Sequence, residues 1–376
     1  MRSGTLLMMS RGAVLAWAML GAASGSAARQ QGPLEVGPAG PDPGVRPDGT
    51  RSAESAPAEN EIVPALEGAV SRGFRALAQM QSAEGHFEGM RTDRHVGISA
   101  LAGIAFMADG NLPGRGDYAV NVERAIDFVL SSIAETGLIA EDTSHGPMYG
   151  HGFAALFLGE AYGMIQGGPD TARSSRMYEG LVKACRLIVE TQNDEGGWRY
   201  NPVPHDADIS VTICQIMALR SARNAGIDIP KRTIDRAVEY VRACQNPDGG
   251  FRYQMMSGSS AWPRTAAGVA SLYYAGVYQD QALDRGLGYL TENAFPNRGL
   301  GQGSHYFYGH YYAVQAMYLA GGEQWDRWWP AIRDELIAMQ RPDGSWDDSY
   351  AGPAYGTAMA LIVLQMPKRY LPIFQR

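Results

Sequence analysis

One short phrase is written four times along this chain. It stands as Gln81-Ser82-Ala83-Glu84-Gly85-His86-Phe87, Gln192-Asn193-Asp194-Glu195-Gly196-Gly197-Trp198, Gln245-Asn246-Pro247-Asp248-Gly249-Gly250-Phe251 and Gln340-Arg341-Pro342-Asp343-Gly344-Ser345-Trp346. The shared form is Gln-x-x-acid-Gly-x-aromatic. An amphipathic helical pattern precedes each copy, and a more apolar one follows it. A chain that repeats helix, corner and helix must stack its units, because one pair alone cannot bury its apolar face.

Six helix pairs can be laid out on this pattern: 63–81 with 95–108, 118–133 with 150–164, 174–192 with 208–224, 231–245 with 264–277, 281–292 with 308–320, and 324–340 with 356–364. In the second pair the corner has degenerated to Gly137-Leu138-Ile139. The first helix of each pair is amphipathic. In 231–245, Ile234, Ala237, Val238, Val241 and Cys244 form one stripe, with Arg232, Asp235, Arg236 and Glu239 opposite. The second helix is apolar nearly all round, as from Thr265 to Tyr274. A helix with one wet face belongs outside, and one with none belongs inside. The pattern therefore predicts an all-α protein, a closed α/α-toroid of six inner and six outer helices over residues 61–376. Closure also removes the capping problem of an open solenoid. At each corner Gln ends the outer helix, the acid–Gly pair supplies a left-handed stop, and the aromatic folds back over the next helix start.

The phrase Gln-x-x-Asp-Gly-x-Trp after an amphipathic helix resembles the QW repeat of squalene–hopene cyclases. The arrangement is also similar to the α/α-toroid of protein prenyltransferase β-subunits. The resemblance covers roughly residues 62–376 and implies the toroid, a fold that hosts several unrelated functions. His205-Asp206-Ala207-Asp208-Ile209 resembles the Asp-x-Asp-Asp motif of those cyclases, in which a carboxylic acid protonates an alkene. Asp206 and Asp208 match its first two acids, and Ile209 stands in place of the third. From the residues themselves, two close carboxylates could hold one proton by mutual repulsion. Asp208 could equally be a helix N-cap, with Asp206 solvated. His310 begins an inner helix where prenyltransferases carry a zinc histidine, but Arg264-Thr265-Ala266 replaces the expected Asp-x-Cys. Three protein ligands for zinc cannot be assembled, so no metal and no cofactor are expected. The Gly-Cys-Gly-Glu-Gln of complement-type toroids does not occur.

Three inner helices open alike, with Tyr149-Gly150-His151, Tyr308-Gly309-His310 and Tyr355-Gly356-Thr357. Aligning Ala275-Gly276 with Ala320-Gly321, and Gln215 with Gln315, brings Thr265 and Ser210 to the same level. The expectation is one ring of His151, Ser210, Thr265, His310 and Thr357. All seven histidines, His205 and His305 among them, fall between an outer helix and the first turn of an inner one, hence on one rim. Trp262, Tyr308, Tyr311 and Tyr312 cluster there as candidate ligand contacts. Helix amino termini converge on that rim too, a field that favours an anionic or electron-rich ligand. Polar groups at the mouth of an apolar, aromatic cavity suit a ligand site; alternatively, Ser and Thr cap helices and the histidines bond loop carbonyls. Glu141-Asp142 and Asp347-Asp348 flank the same rim. A glycosidase needs two carboxylates across its scissile bond, whereas solvated loop charge accounts for both pairs more simply. Arg199-Tyr200 and Arg252-Tyr253 each follow a corner directly, and their repetition suggests pairing with neighbouring acids.

A formal charge of −7 argues against a nucleic-acid partner. At the amino end, Arg2 and Arg11 flank a start region, the run from Ala13 to Leu20 is apolar, and Ser26-Ala27-Ala28 offers a cleavage site. Residues 1–28 are thus expected to be an export signal, sending the protein to the periplasm or outside the cell. No stable membrane span is expected once it is removed. Residues 29–60 hold six prolines and five glycines, a composition expected to form a flexible tether. The cysteines, Cys185, Cys214 and Cys244, are expected to be small buried hydrophobes. Two functional classes remain. One is a binder, through rim and pore, of a hydrophobic isoprenoid-like molecule, a glycan or a protein segment. The other is an enzyme, either a terpene cyclase or isomerase using Asp206 and Asp208 or a polysaccharide-processing toroid. An enzyme needs clustered carboxylates of perturbed proton affinity; a binder needs only the aromatic surface. Sequence leaves the oligomeric state open.

Overall fold

A computed structural model describes residues 61–143, 145–165, 170–296 and 305–375. The export signal and tether expected in residues 1–60 lie outside the described residues. Six outer helices, α1 (Pro64–Met80), α3 (Ala119–Ser131), α5 (Thr171–Glu190), α7 (Lys231–Ala243), α9 (Gln281–Asn293) and α11 (Gly322–Met339), alternate with six inner ones. The inner helices are α2 (Val96–Ala108), α4 (Met148–Ile165), α6 (Ile209–Asn224), α8 (Trp262–Tyr274), α10 (Tyr306–Ala320) and α12 (Pro353–Leu364). Each inner helix packs on the next, and α12 returns to α2, so the ring is closed. In this circle α2 stands opposite α8, α4 opposite α10, and α6 opposite α12. Burial follows the polarity of the sequence. All of α2 is buried, whereas α7 buries one stripe that includes Ala237, Val238 and Val241. Truncating an inner-helix leucine such as Leu101 to alanine would cost about 2–5 kcal/mol.

The corner phrase also fastens neighbouring repeats. In each copy the Gln Nε2 donates to the corner glycine's carbonyl and to a carbonyl in the first half of the next outer helix. Gln81 reaches Gly85 O and Asn121 O at 3.1 and 3.0 Å. Gln192 reaches Gly196 O and Thr233 O at 2.8 and 2.9 Å, and Gln245 reaches Gly249 O and Ala282 O at 3.0 and 2.8 Å. The last, Gln340, bonds Gly344 O and Ala69 O of α1 at 2.9 and 2.8 Å, which staples the sixth repeat to the first. The glycine is required twice over. Gly196 has φ of 101°, and a Cβ there would lie 2.3 Å from the Arg236 carbonyl oxygen of the next outer helix. The corner tryptophans turn inward, with Trp198 and Trp346 each donating from Nε1 to an outer-helix carbonyl at 2.7 Å.

The two ends of the ring differ. Inner-helix amino termini gather at the end where the corners lie. At the other end the chain finishes in two short 3-10 turns, Met366–Lys368 and Pro372–Phe374, with Leu371, Ile373 and Phe374 buried. There Ile373 N–H donates to Glu160 Oε2 of α4 at 3.1 Å, and Gln365 Nε2 donates to Ala105 O of α2 at 3.1 Å. The axis between the ends is filled. Phe153 of α4 and Tyr311 of α10 stand on opposite helices, yet their ring centroids are 6.1 Å apart. Tyr312 packs edge-on against Tyr311 and places its hydroxyl 3.4 Å from Cys214 Sγ of α6. Among the described residues, no helix is long and apolar enough to cross a membrane.

Candidate functional site

A bowl of about 620 Å³ opens at the corner end. Every inner helix contributes to its floor, and one equivalent position recurs in all six: Gly97, Tyr149, Ser210, Pro263, Tyr308 and Tyr355. The residue two positions later on each helix does something else, because positions two apart on a helix do not share a face. In five repeats that residue accepts the backbone N–H at the end of the corner. Phe87 N bonds Ser99 Oγ at 2.9 Å, and Ile139 N bonds His151 Nδ1 at 3.1 Å. Trp198 N bonds Thr212 Oγ1 at 3.1 Å, Phe251 N bonds Thr265 Oγ1 at 3.0 Å, and Trp346 N bonds Thr357 Oγ1 at 3.0 Å. The sixth, His310, is boxed in by Tyr306, Trp262 and Trp328, with ring centroids 4.5, 4.9 and 6.1 Å away.

This geometry re-sorts the residues singled out from sequence. His151, Thr265, His310 and Thr357 do form one level, but they face the corners. Burial pushes the imidazoles of His151 and His310 down to about 4 and about 3, so both are neutral. Ser210 does not share that level; Thr212 does, because the alignment through Gln215 was displaced by two residues. Ser210, Tyr308 and His305 line the bowl. Tyr311 and Tyr312 lie beneath its floor, fully buried on the axis. Trp262 packs on His310, and His205 is exposed on its loop, 3.8 Å from Asp206.

The acid pair is separated by an arginine. Arg199 hydrogen-bonds Asp206, and its Nε lies 3.8 Å from Asp208. Asp208 is completely buried, and its Oδ1 caps α6 by accepting from Ser210 N and Val211 N at 2.9 and 3.0 Å. Its Oδ2 has no hydrogen-bond partner within the distance limits of a hydrogen bond. Burial pushes the Asp208 carboxyl up to about 6, against the lowering pull of its N–H donors, Arg199 and the Tyr253 side chain. Repulsion from Asp206 is not the cause, which corrects the shared-proton expectation. The guanidinium of Arg199 stacks over Tyr200 and Tyr253, 5.1 and 5.8 Å from their centroids, and the two tyrosine hydroxyls bond each other. These three side chains line the bowl, and Asp208 lies behind them.

Elsewhere on the wall, Tyr350 places its hydroxyl 3.0 Å from His145 Nε2 and its ring 6.0 Å from that of His305. His305 holds a left-handed backbone, φ 69°, a strained conformation for a branched side chain that is concentrated at functional sites. His95 caps α2 from the wall, its Nδ1 accepting from Ile98 N at 3.3 Å, and burial lowers its proton affinity. Among the described residues no group of His, Cys, Asp and Glu is placed to hold a metal ion.

Residues 179–303 match the prenyltransferase alpha-alpha toroid domain. Among solved structures, the type II terpene cyclase MstE from Scytonema superposes with a TM-score of 0.56 at 15% identity, covering 82% of this chain and 99% of that one. The chain folds as an α/α-toroid. The same ring is shared with the GH76A alpha-1,6-mannanase of a Salegentibacter species, at a TM-score of 0.61 and 7% identity over 81% of this chain and 99% of that one. A protein from Actinoplanes superposes with a TM-score of 0.55 at 19% identity, over 81% of this chain and 99% of that one. At such identities the likeness is one of fold. The cyclase was solved with geranylgeranyl dihydroxybenzoate as substrate, and an inactive mannanase, two neighbouring aspartates replaced by asparagine, with alpha-1,6-mannotriose. No curated protein matches the sequence significantly.

Within this toroid, the lining residues that sequence reasoning did not single out as ligand contacts are Arg91, Arg264, Tyr350 and two tyrosines, Tyr149 and Tyr355. Tyr149, Tyr308 and Tyr355 had carried a signal, since they open the repeated Tyr-Gly-His/Thr triplet. The triplet's first residue faces the bowl, and its third holds the corner.

Proposed function

We propose that this protein is an exported carbohydrate-binding toroid that seats a glycan segment in the bowl. The observation that carries this reading is the floor: three tyrosines at equivalent positions, Tyr149, Tyr308 and Tyr355, above an axis filled by Phe153, Tyr311 and Tyr312. A bowl of about 620 Å³ lined by tyrosine rings and hydroxyls suits a sugar chain entering from the rim. The mannanase likeness supports the same ligand class on the same ring. Binding of oligosaccharides by the full chain, followed by titration calorimetry, tests the reading. Tyr308→Ala and Tyr355→Ala should each weaken affinity about tenfold, in line with the loss of one aromatic contact. Undiminished affinity in both variants would remove the bowl as the site.

A second reading rests on Asp208. A buried carboxyl that holds its proton up to about 6, with one oxygen unengaged beside the bowl wall, has the properties of a general acid. Tyr253 and Arg199 stand between it and the bowl, so proton delivery would run through the Tyr253–Tyr200 hydroxyl pair or follow a shift of Arg199. Asn caps a helix as well as Asp, so Asp208→Asn keeps the fold and removes the acid. Turnover of a glycan or an alkene substrate by the wild type, lost in Asp208→Asn, is the expected result. Equal turnover by the two proteins would dismiss Asp208.

A further inference from the structure

Every carboxylate lining the bowl has a partner in the protein, and two of its guanidinium groups have no carboxylate partner among the described residues. Glu141 lies 3.5 Å from Arg94 and accepts from the Ser132 hydroxyl at 3.2 Å. Asp142 accepts from the backbone N–H groups of Asp93 and Arg94 at 3.2 and 3.1 Å. Asp348 accepts from those of Tyr350 and Ala351 at 2.9 and 2.8 Å. Arg199 is taken by Asp206 and Asp208. Arg91 and Arg264 also line the bowl, and neither has a carboxylate partner among the described residues. Arg264 donates through Nη2 to Ser259 O at 2.9 Å, while its Nε is buried with no acceptor. With one carbonyl as its acceptor and no carboxylate beside it, the Arg264 guanidinium keeps an uncompensated charge in the bowl lining that an anionic group could pair.

The backbone around Arg264 points the same way. Arg264 lies in the first turn of α8, where Ala261 at the N-cap offers no side-chain acceptor. The next two inner helices, α10 and α12, start at His305 and Gly352, again without a side-chain cap. Across the ring, α2 and α6 are capped by His95 and Asp208. The partial positive charge of a helix start is thus neutralised on one arc of the bowl and left open on the other. Asp348 is the one bowl carboxylate on the open arc, and its two backbone donors already compensate it. Arg91 lies on the corner before α2, the inner helix opposite α8 in the ring.

We infer that the bowl selects glycans bearing anionic groups, with an acidic sugar's carboxylate held by Arg264 on the α8 side and a second available to Arg91 across the bowl. This deepens, and rests on, the carbohydrate-binding reading. A carboxylate fits the planar fork of a guanidinium, and the pair gains strength where water is partly excluded. The hydroxyls and rings of the floor tyrosines would then carry the uncharged part of the sugar.

The test uses the full chain and three probes: tetragalacturonate, its methyl ester, which keeps the rings and removes the charge, and a neutral mannotetraose. Calorimetry should show the free acid binding at least about tenfold tighter than the ester, a preference that fades with added salt. Arg264→Gln should erase that preference, the free acid's affinity falling about tenfold relative to the ester's. Arg91→Gln, on an exposed turn where folding is not at stake, should reduce it by about threefold. Equal binding of acid and ester by the wild type, or a preference that survives Arg264→Gln, overturns the inference and leaves the carbohydrate reading standing. Failure of all three probes to bind overturns both.

Discussion

The two ends of the ring each bury a carboxyl, and the ways they treat it set structure apart from function. At the closed end Glu160 has both oxygens occupied, Oε1 by the Ser221 hydroxyl at 2.7 Å and Oε2 by Ile373 N–H at 3.1 Å. Burial pushes it up to about 7. At the open end Asp208, pushed up to about 6, has one oxygen committed to a helix cap and the other 3.8 Å from Arg199 Nε without a hydrogen bond. The physical cause of the raised affinity is the same, loss of water around a charge. What differs is the remaining valence. Glu160 pins the carboxyl-terminal segment across the inner helices, and nothing is left over for a ligand. Asp208 stands behind a wall of Arg199, Tyr200 and Tyr253, its second oxygen near Arg199 but accepting no hydrogen bond.

The largest effect expected from this contrast is at the closed end. Glu160→Ala leaves the Ile373 N–H without its acceptor and opens a small cavity, and should cost about 3 kcal/mol at pH 5.5. Chemical denaturation measures it, and a cost under about 1 kcal/mol would mean that the closed end is not pinned there. The pH dependence comes next. The folded-state affinity of Glu160 lies above that of an ordinary glutamate, so the folded protein binds the extra proton between about pH 4.5 and 7. Stability from this group is therefore present at acid pH and declines as pH rises through that window, by about 3 kcal/mol at pH 7.5. Glu160→Gln should remove the slope, its amide oxygen accepting from Ile373 N–H and its NH₂ donating to Ser221, whose hydroxyl also reaches Leu156 O at 3.2 Å. A variant that keeps the wild-type slope would assign it elsewhere.

How far all this could be read in the sequence depended on what each residue answers to. The corners answer to their own neighbours. Gln81, Gln192, Gln245 and Gln340 announced a helix–corner–helix repeat because the same local bonds recur, and the positions of all twelve helices followed within a few residues. Their second bond, to the next outer helix, could not be seen from one repeat alone. The level of the ring was misjudged at Ser210 because Gln215 and Gln315 look equivalent in sequence yet bond differently. Gln215 Nε2 donates across to Met148 O at 2.8 Å, while Gln315 bonds Tyr311 O of its own helix and Tyr274. The filled axis was illegible for a stronger reason. Phe153 and Tyr311 meet only because α4 and α10 face each other across a closed circle, a distance that no periodicity encodes. Arg199 shows the middle case: its pairing with acids was foreseen from its place after a corner, and its stacking over two tyrosines in a bowl wall was not.

At the open end the effects on stability should be small and those on ligand large. Asp208→Asn should shift stability by no more than about 1 kcal/mol, since the cap survives and a buried charge is removed. A loss of several kcal/mol would turn Asp208 into a second Glu160 and erase the contrast. Arg264→Gln should change stability least, within about 0.5 kcal/mol, because its guanidinium has a single carbonyl partner in the protein. Thermal melts of the two variants in parallel check both expectations.

The most direct measurement is an experimental structure of the full chain with an acidic tetrasaccharide. The account predicts sugar rings against Tyr308 and Tyr355 in the bowl, with one carboxylate on Arg264. Sugar bound at the end closed by Ile373 and Phe374, or a bowl left empty at saturating ligand, would contradict it.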